Sequence, residues 1–218
     1  MKDSTKNDVI QKYYLEGGGE SRMLDTRGRK YFQPLFENIA TFVISKRITA
    51  NQVTIMAFII GLIAAIVACV WSPILGIVLL WISGFLDALD GTIARETKSS
   101  SGIGTLMDIL FDRIVEIAML LAIECMTTSI NIGVYISLVL GSIIISMTIF
   151  LTVGALAEKS GNKSFYYQAG LAERTEGFIM ISLAAILPRF REIILIIFAA
   201  MILFTAAQRF FEAKRILK

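Results

Sequence analysis

Four aspartates at fixed spacing are the residues of this chain best suited to chemistry. They occur in one stretch with the pattern D-x2-D-G-x2-A-R-x8-G-x3-D-x3-D, as Asp87, Asp90, Asp108 and Asp112. The first two are three positions apart and the last two are four apart, so each pair falls on one face of a helix. Two helices joined by a short loop can direct both pairs of carboxylates at one point.

A divalent cation is the expected partner of these carboxylates. An acid inside a membrane segment costs roughly 2.5–3.5 kcal/mol, so four acids must be neutralised. Oxygen-only ligands favour Mg²⁺ or Mn²⁺. The chain has no histidine, and Cys69 and Cys125 lie outside the stretch, which argues against zinc or copper. We therefore expect all four aspartates to be metal ligands.

The remaining residues of the pattern suit a bound phosphate ester. Gly91, Ala94 and Gly104 are small and leave room for a ligand to approach the helix backbones. Arg95 supplies a planar cation that matches a phosphate.

The elements that must position these residues are membrane helices. The chain has 218 residues, is 56% hydrophobic and has a mean hydropathy of +0.70, which is too apolar for a soluble domain and too long for a single span. Six apolar runs predict an all-α integral membrane domain over 48–218 with six transmembrane helices. The runs lie at about 53–70, 74–95, 104–127, 132–157, 174–187 and 192–211.

The N-terminal part differs in composition. Residues 1–29 are polar, and 30–47 place apolar residues at helical spacing between basic flanks. This pattern predicts a polar cytoplasmic segment followed by an amphipathic helix in the interface of an anionic membrane. An ordinary amphipathic helix packed on the protein is the alternative.

The fifth run is short, with only eleven uninterrupted apolar or small residues from Gly177 to Leu187. It can span a bilayer only if its first turns, with Arg174 and Glu176, enter the protein interior or a wet cavity. Those charges are therefore expected near the aspartates.

The distribution of Lys and Arg predicts the orientation. Nine precede the first span, two fall in 95–103, three in 158–175 and four after 208, whereas the opposite loops carry two. The positive-inside rule then places both termini and the motif loop in the cytoplasm of a multi-pass cell-membrane protein. Cys69 and Cys125 both lie in apolar runs and are expected to be buried small hydrophobes without a disulfide.

The aspartate stretch resembles, at every specified position, the signature of the CDP-alcohol phosphotransferase family of phospholipid synthesis. The resemblance implies that a hydroxyl attacks the phosphorus next to the lipid in a CDP-alcohol such as CDP-diacylglycerol and that CMP leaves. It implies two Mg²⁺ or Mn²⁺ ions per site, with Asp112 both sharing a metal and acting as the catalytic base.

The resemblance also implies contacts to the CDP-alcohol. The segment Ile48-Thr-Ala-Asn-Gln-Val-Thr54 is similar to the family's I-T-P-N-x-V-T, so Asn51 and Gln52 are candidates, although a helix N-cap at Thr49 or Asn51 explains the same residues. The other candidates are Gly91, Ala94, Arg95, Ser101 and Gly104.

The acceptor side resembles the inositol-type branch. Asp112 is followed by Arg113, and Gly170-Leu-Ala-Glu-Arg174-Thr-Glu-Gly177 is similar to that branch's G-x-x-E-R-x-E-R. Two arginines of that branch are replaced here by Leu156 and Gly177. We therefore expect an altered acceptor, either a neutral or zwitterionic alcohol or a phosphate held through Lys159 or Lys163. The candidate acceptor contacts are Arg113, Glu116 and Arg174, and an ion pair of Arg174 with Glu173 or Glu176 is the structural alternative for that arginine.

Two other functions compete with a membrane transferase. Intramembrane acids also mark cation pathways, so a divalent-cation transporter or channel is the alternative. A catalytically inert scaffold is the third interpretation, but the presence of all four aspartates argues against it. The expected partners are a CDP-lipid donor, a small polar alcohol, membrane lipids and a second copy in a homodimer, and no nucleic acid is expected.

Overall fold

The computed structural model describes residues 24–159 and 174–216, and every regular element in these ranges is helical. Seven α-helices occur there, with a short 3₁₀ helix at Pro188–Phe190 before the last. They are α1 Leu24–Ser45, α2 Ala50–Val70, α3 Pro73–Glu96, α4 Gly102–Cys125, α5 Ile132–Lys159, α6 Arg174–Ile186 and α7 Arg191–Ile216.

The ends of the helices follow from local sequence. Thr49 caps α2, because its hydroxyl accepts from the Gln52 backbone amide and the Gln52 carboxamide accepts from the Thr49 amide at 2.9 Å. Ser72 caps α3 and is followed by Pro73, whose missing N–H costs nothing at a first helical position. The six predicted runs match α2–α7 to within a few residues, whereas α1 begins well before residue 30.

Four helices are long and apolar enough to cross a membrane by length and composition: Ala50–Val70, Pro73–Glu96, Ile132–Leu156 and the segment Pro188–Lys214. The protein is thus a multi-pass membrane protein with an all-α fold in the described ranges. α4 carries several acids, and α6 has only 13 residues, so neither meets these criteria. The predicted count of six spans is therefore not reached on these criteria.

Helices α2 and α3 form a tight antiparallel hairpin because small residues line their contact. A Cβ added at Gly76 would lie 2.4 Å from the Ala68 Cβ and 2.7 Å from the Ala64 carbonyl oxygen. Further along, a Cβ at Gly61 would lie 2.6 Å from Val115 of α4. These close approaches bring the ends of α3 and α4 that carry the aspartates together.

Helix α1 packs on the end of this hairpin. Ala40 is fully buried in a small cluster with Val53 of α2 and Ile93 of α3, and the Phe36 ring stacks on that of Phe85 at 5.0 Å. Phe42, on another face of α1, is 63% exposed. One face of α1 therefore packs on the protein, as the alternative interpretation held, and another stays available to an interface.

Cys69 and Cys125 are joined by a disulfide, with Cα atoms 5.9 Å apart. The prediction of unpaired cysteines was wrong, because the ends of α2 and α4 meet in the fold although 56 residues separate them in sequence. The disulfide lies at the end of α4 opposite its aspartates.

The C-terminal end of α6 is closed by a buried arginine. The Arg191 side chain donates to the Ala184 carbonyl at 2.8 Å, to the Ala185 carbonyl at 3.3 Å and to the Thr127 hydroxyl. These bonds satisfy helix-end carbonyls that would otherwise lack partners, because Pro188 prevents the helix from continuing. The short α6 is thereby fixed in place between the ends of α4 and α7.

Candidate active site

Three carboxylates from two helices converge on one point. Asp87 lies in the second half of α3, and Asp108 and Asp112 lie one turn apart in the first half of α4. One oxygen from each can be chosen so that all lie within 4.8 Å of one another. The predicted convergence of the two helix faces is confirmed for these three.

Asp90 stands beside this trio, near Asp108 and the hydroxyl of Thr54. It is 7% exposed, and its Oδ2 is buried without a hydrogen-bond partner among the described residues. A buried carboxylate oxygen with no partner is costly unless a cation or donor meets it. The available ligands are all carboxylate oxygens, which are the ligands that Mg²⁺ and Mn²⁺ prefer.

Arg174, the first residue of α6, contacts the carboxylate trio directly. Its Nη1 is paired with Asp87, and its Nη2 lies 2.6 Å from Asp112 Oδ1. The prediction that α6 carries its charges toward the aspartates is confirmed for this residue. Its described ion pairs run to α3 and α4, which sequence spacing could not reveal. Glu173, one of the two acids of the structural alternative, lies outside the described residues.

Several of the residues predicted to contact the CDP-alcohol lie together at the start of α4. A Cβ added at Gly104 would lie 3.2 Å from Ser101 Oγ and 3.3 Å from Asn51 Oδ1, so these three residues surround one small space. Ser101 also caps α4, since its hydroxyl accepts from the Gly104 amide at 3.1 Å. The Gln52 side chain is engaged in the α2 cap, which leaves Asn51 as the side chain of that pair that faces this space.

Arg95 extends beside the other glycine of the pattern. A Cβ added at Gly91 would lie 3.5 Å from Arg95 Nη1, and Arg95 Nη2 donates to Thr92 Oγ1 at 3.0 Å. Ala94 packs on the small cluster that holds α1. Arg95 and Gly91 thus lie together, whereas Ala94 contributes to packing.

On the far side of Asp112, Arg113 is ion-paired with Glu116. Glu116 is 8% exposed, and its Oε1 would lie 3.8 Å from a Cβ built on Gly177 of α6. The candidate acceptor contacts therefore lie between α4 and α6, next to the trio.

Two residues that the sequence analysis did not single out support this site. The Phe178 ring lies under the Arg174 guanidinium, and the distance from Arg174 Cζ to the ring centroid is 5.5 Å. Thr54 lies beside Asp90. An aromatic residue four positions after an arginine in a helix is a signal for Phe178. Thr54 has no comparable sequence signal.

Comparison with known proteins identifies the class to which this fold and site belong. The sequence model of the CDP-alcohol phosphatidyltransferase family matches residues 47–207. The chain is 32% identical over 195 residues to the archaetidylinositol phosphate synthase of Pyrococcus horikoshii, covering 88% of this chain and 97% of that protein. It is also 28% identical over 165 residues to the phosphatidylinositol phosphate synthase of Corynebacterium glutamicum, covering 72% of each.

Solved structures show the same fold. The phosphatidylinositol phosphate synthase of Mycobacterium tuberculosis with CDP-DAG bound gives a TM-score of 0.66 at 21% identity, over 83% of this chain and 94% of that one. Its complex with manganese and citrate also gives 0.66 at 21% identity, over 82% and 88%. The chain therefore belongs to the CDP-alcohol phosphatidyltransferase family, and it is an enzyme that transfers a phosphatidyl group from a CDP-lipid to an alcohol. This class is favoured over a cation pathway or an inert scaffold.

Proposed function

We propose that the four aspartates bind divalent cations and form the catalytic centre of this transferase. The observation that carries the proposal is the convergence of Asp87, Asp108 and Asp112 within 4.8 Å. Beside them lies a buried oxygen of Asp90 that has no hydrogen-bond partner in the part of the chain that the structure describes. Bound Mg²⁺ or Mn²⁺ ions, two per site, would supply charge neutralisation for the donor diphosphate. Manganese in a structural relative supports this choice of ion.

The proposed reaction has balanced parts. The acceptor hydroxyl oxygen forms a bond to the phosphorus next to the lipid, the bond from that phosphorus to the bridging oxygen breaks, and CMP leaves. Asp112 takes the hydroxyl proton on a carboxylate oxygen, because it is the carboxylate of the trio that lies nearest the Arg113–Glu116 side.

The donor nucleotide is proposed to lie along the glycine-lined ends of α3 and α4. Asn51, Ser101 and Gly104 surround one small space there, and Gly91 borders Arg95. Gly91 and Gly104 let the ligand approach the backbone, and Arg95 offsets diphosphate charge. We also assign Gln52 and Ala94 to this site, because Gln52 forms the cap that fixes the start of α2 and Ala94 packs on the cluster that holds α1.

The acceptor is proposed to bind between α4 and α6, beside Arg113, Glu116 and Arg174. The names of the relatives favour an inositol phosphate as the acceptor. Free inositol is the second candidate, because Gly177 next to Glu116 replaces a cation expected in that branch. A carboxylate beside a glycine offers hydrogen-bond acceptors to hydroxyl groups rather than charge to a phosphate.

The arrangement in the membrane is part of the proposal. We infer six spans, with α4 and α6 crossing because Asp108, Asp112 and Arg174 face one another in the carboxylate cluster rather than lipid. The excess of Lys and Arg then places both termini and the aspartates at the cytoplasmic side of the cell membrane. A homodimer in contact with membrane lipids is the proposed assembly.

One experiment tests the function and the acceptor together. Purified protein in lipid nanodiscs is given CDP-diacylglycerol and Mn²⁺ with inositol phosphate, inositol, glycerol phosphate or serine, and CMP release is measured. We expect release with an inositol-type acceptor and none in EDTA. Release with serine or glycerol phosphate alone would overturn the inositol-type assignment, and no release with any acceptor would overturn the proposed activity.

A further inference from the structure

Arg174 and a divalent cation would use the same carboxylates. The guanidinium pairs with Asp87 and lies 2.6 Å from Asp112, and both carboxylates belong to the trio proposed to bind metal. A guanidinium carries a full positive charge on a rigid plane. A guanidinium and a metal ion between the same two carboxylates would repel each other strongly, so only one can occupy that place.

The position of Arg174 is supported by packing as well as by charge. Its guanidinium carbon lies 5.5 Å from the Phe178 ring centroid, within cation–π range. The Phe178 ring fills a notch on α3 at Gly84, where a Cβ would lie only 2.6 Å from the ring, and it meets the Trp81 ring edge-on at 6.1 Å. Gly84 is one turn before Asp87, so the notch sets the guanidinium opposite that carboxylate.

We propose that Arg174 is a positioning residue that exchanges between the carboxylate trio and the acceptor. Paired with Asp87 and Asp112, it competes with the divalent cation, and when the cation displaces it, it becomes a partner for an anionic group of the acceptor. Phe178, seated at Gly84, sets the balance between the two positions. The inference rests on the proposed function, because it takes the carboxylates as the metal site.

The consequence is an order of binding. The Arg174 side chain is 28% exposed, so once displaced from the carboxylates it gains from a new anionic partner. Metal binding therefore favours acceptor binding, and the coupling must be reciprocal in free energy. With Asp87, Asp108 and Asp112 holding the cation, Arg174 would be released and would complete the acceptor site.

Direct Mn²⁺ binding without substrates tests the competition. Free Mn²⁺ is followed by electron paramagnetic resonance in titrations of the full chain in nanodiscs. We expect Arg174→Gln to bind Mn²⁺ on the order of tenfold more tightly, because the competing state is removed. In EDTA the same variant should melt at a lower temperature, since two carboxylates lose their cation.

Two further variants separate competition from general charge. Arg113→Gln removes the same charge from the other side of Asp112, where Arg113 is paired with Glu116, and should tighten Mn²⁺ binding clearly less. Phe178→Leu changes no charge and should tighten Mn²⁺ binding several-fold by weakening the support of Arg174. In turnover assays, Arg174→Gln should raise the KM for the acceptor and leave the KM for the CDP-lipid within a few-fold.

The outcomes distinguish this inference from the proposed function. If Arg174→Gln and Arg113→Gln tighten Mn²⁺ binding equally and Phe178→Leu leaves Mn²⁺ affinity unchanged, only net charge matters, and the inference would be overturned. Unchanged or weaker Mn²⁺ binding in Arg174→Gln would also overturn it, while the metal site itself would stand. Absence of Mn²⁺ binding in the wild type and all variants would instead overturn the proposed metal centre and the inference with it.

Discussion

At the level of single residues, Asp112 joins the carboxylates to both cations of the site. It belongs to the carboxylate trio, it pairs with Arg174, and it directly precedes Arg113, which is paired with Glu116 on the proposed acceptor side. No other aspartate of the trio adjoins both sides of the site in this way. This position is the reason for proposing that the same residue binds metal and takes the acceptor proton.

Asp112→Asn tests the role of Asp112 as base. We expect turnover to fall by about 10²–10⁴-fold, because an amide cannot take the hydroxyl proton. Binding of CDP-diacylglycerol, measured by its effect on melting temperature, should persist. An activity above a tenth of wild type would remove Asp112 from that role, and Glu124→Gln, at the far end of α4, serves as the matched control.

Asp87→Ala and Asp108→Ala test the shared metal site. Each removes one member of the trio from a different helix, so both should lose the metal-dependent stabilisation that CDP gives to the wild type. The measurement is the melting temperature with CDP, with and without Mn²⁺. If both variants keep the full metal-linked shift, the two helices do not contribute to one site.

At the scale of elements, the α2–α3 hairpin sets the geometry of the site. Gly76 allows the start of α3 to lie against the end of α2, and Gly61 allows α2 to lie against α4. Gly76 lies at the start of α3, away from the aspartates, and Gly61 meets Val115 and Ser83, each about one turn from an aspartate. Both glycines determine how closely the helices that carry the aspartates approach.

Gly76→Ala should therefore destabilise the protein. The new Cβ would meet Ala68 Cβ at 2.4 Å and the Ala64 carbonyl oxygen at 2.7 Å, and neither atom can move without its helix. Overpacking of this kind costs about 1–3 kcal/mol, which thermal melting in detergent can detect.

Gly141→Ala is the matched control, because a Cβ at that position in α5 meets nothing within 4 Å. It should leave stability unchanged or raise it by up to about 1 kcal/mol, since alanine favours a helix over glycine. A loss of stability in Gly141→Ala as large as that in Gly76→Ala would contradict the account of close packing.

At the scale of the whole molecule, the two ends of the helix bundle differ in chemistry. The carboxylates and Arg174 lie at one end, and the Cys69–Cys125 disulfide and buried Arg191 lie at the other. Cys125 follows Asp112 by 13 residues, which is about 20 Å along a helix. Disulfides persist in oxidising compartments, so the disulfide end is expected to face away from the cytoplasm.

Thiol labelling in intact cells tests this orientation. Wild-type protein, denatured without reductant, should resist a maleimide mass tag, and a membrane-impermeant reductant applied to intact cells should allow two tags to attach. Cys69→Ser is the control, because it leaves Cys125 as a single free thiol that takes one tag. Two tags on untreated wild type would show that the cysteines are unpaired in the cell.

The sequence alone predicted helices α2–α7, a cap at Thr49 or Asn51, the aspartate pattern and the resemblance to the family, because helical period and capping act over a few residues. Tertiary structure decided which distant residues meet: Arg174 with Asp87 and Asp112, Phe178 with Gly84, and Cys69 with Cys125. These contacts depend on how closely whole helices approach. That approach is set by small residues such as Gly76 and by the shape of the packed core, neither of which can be predicted from residue spacing along the chain.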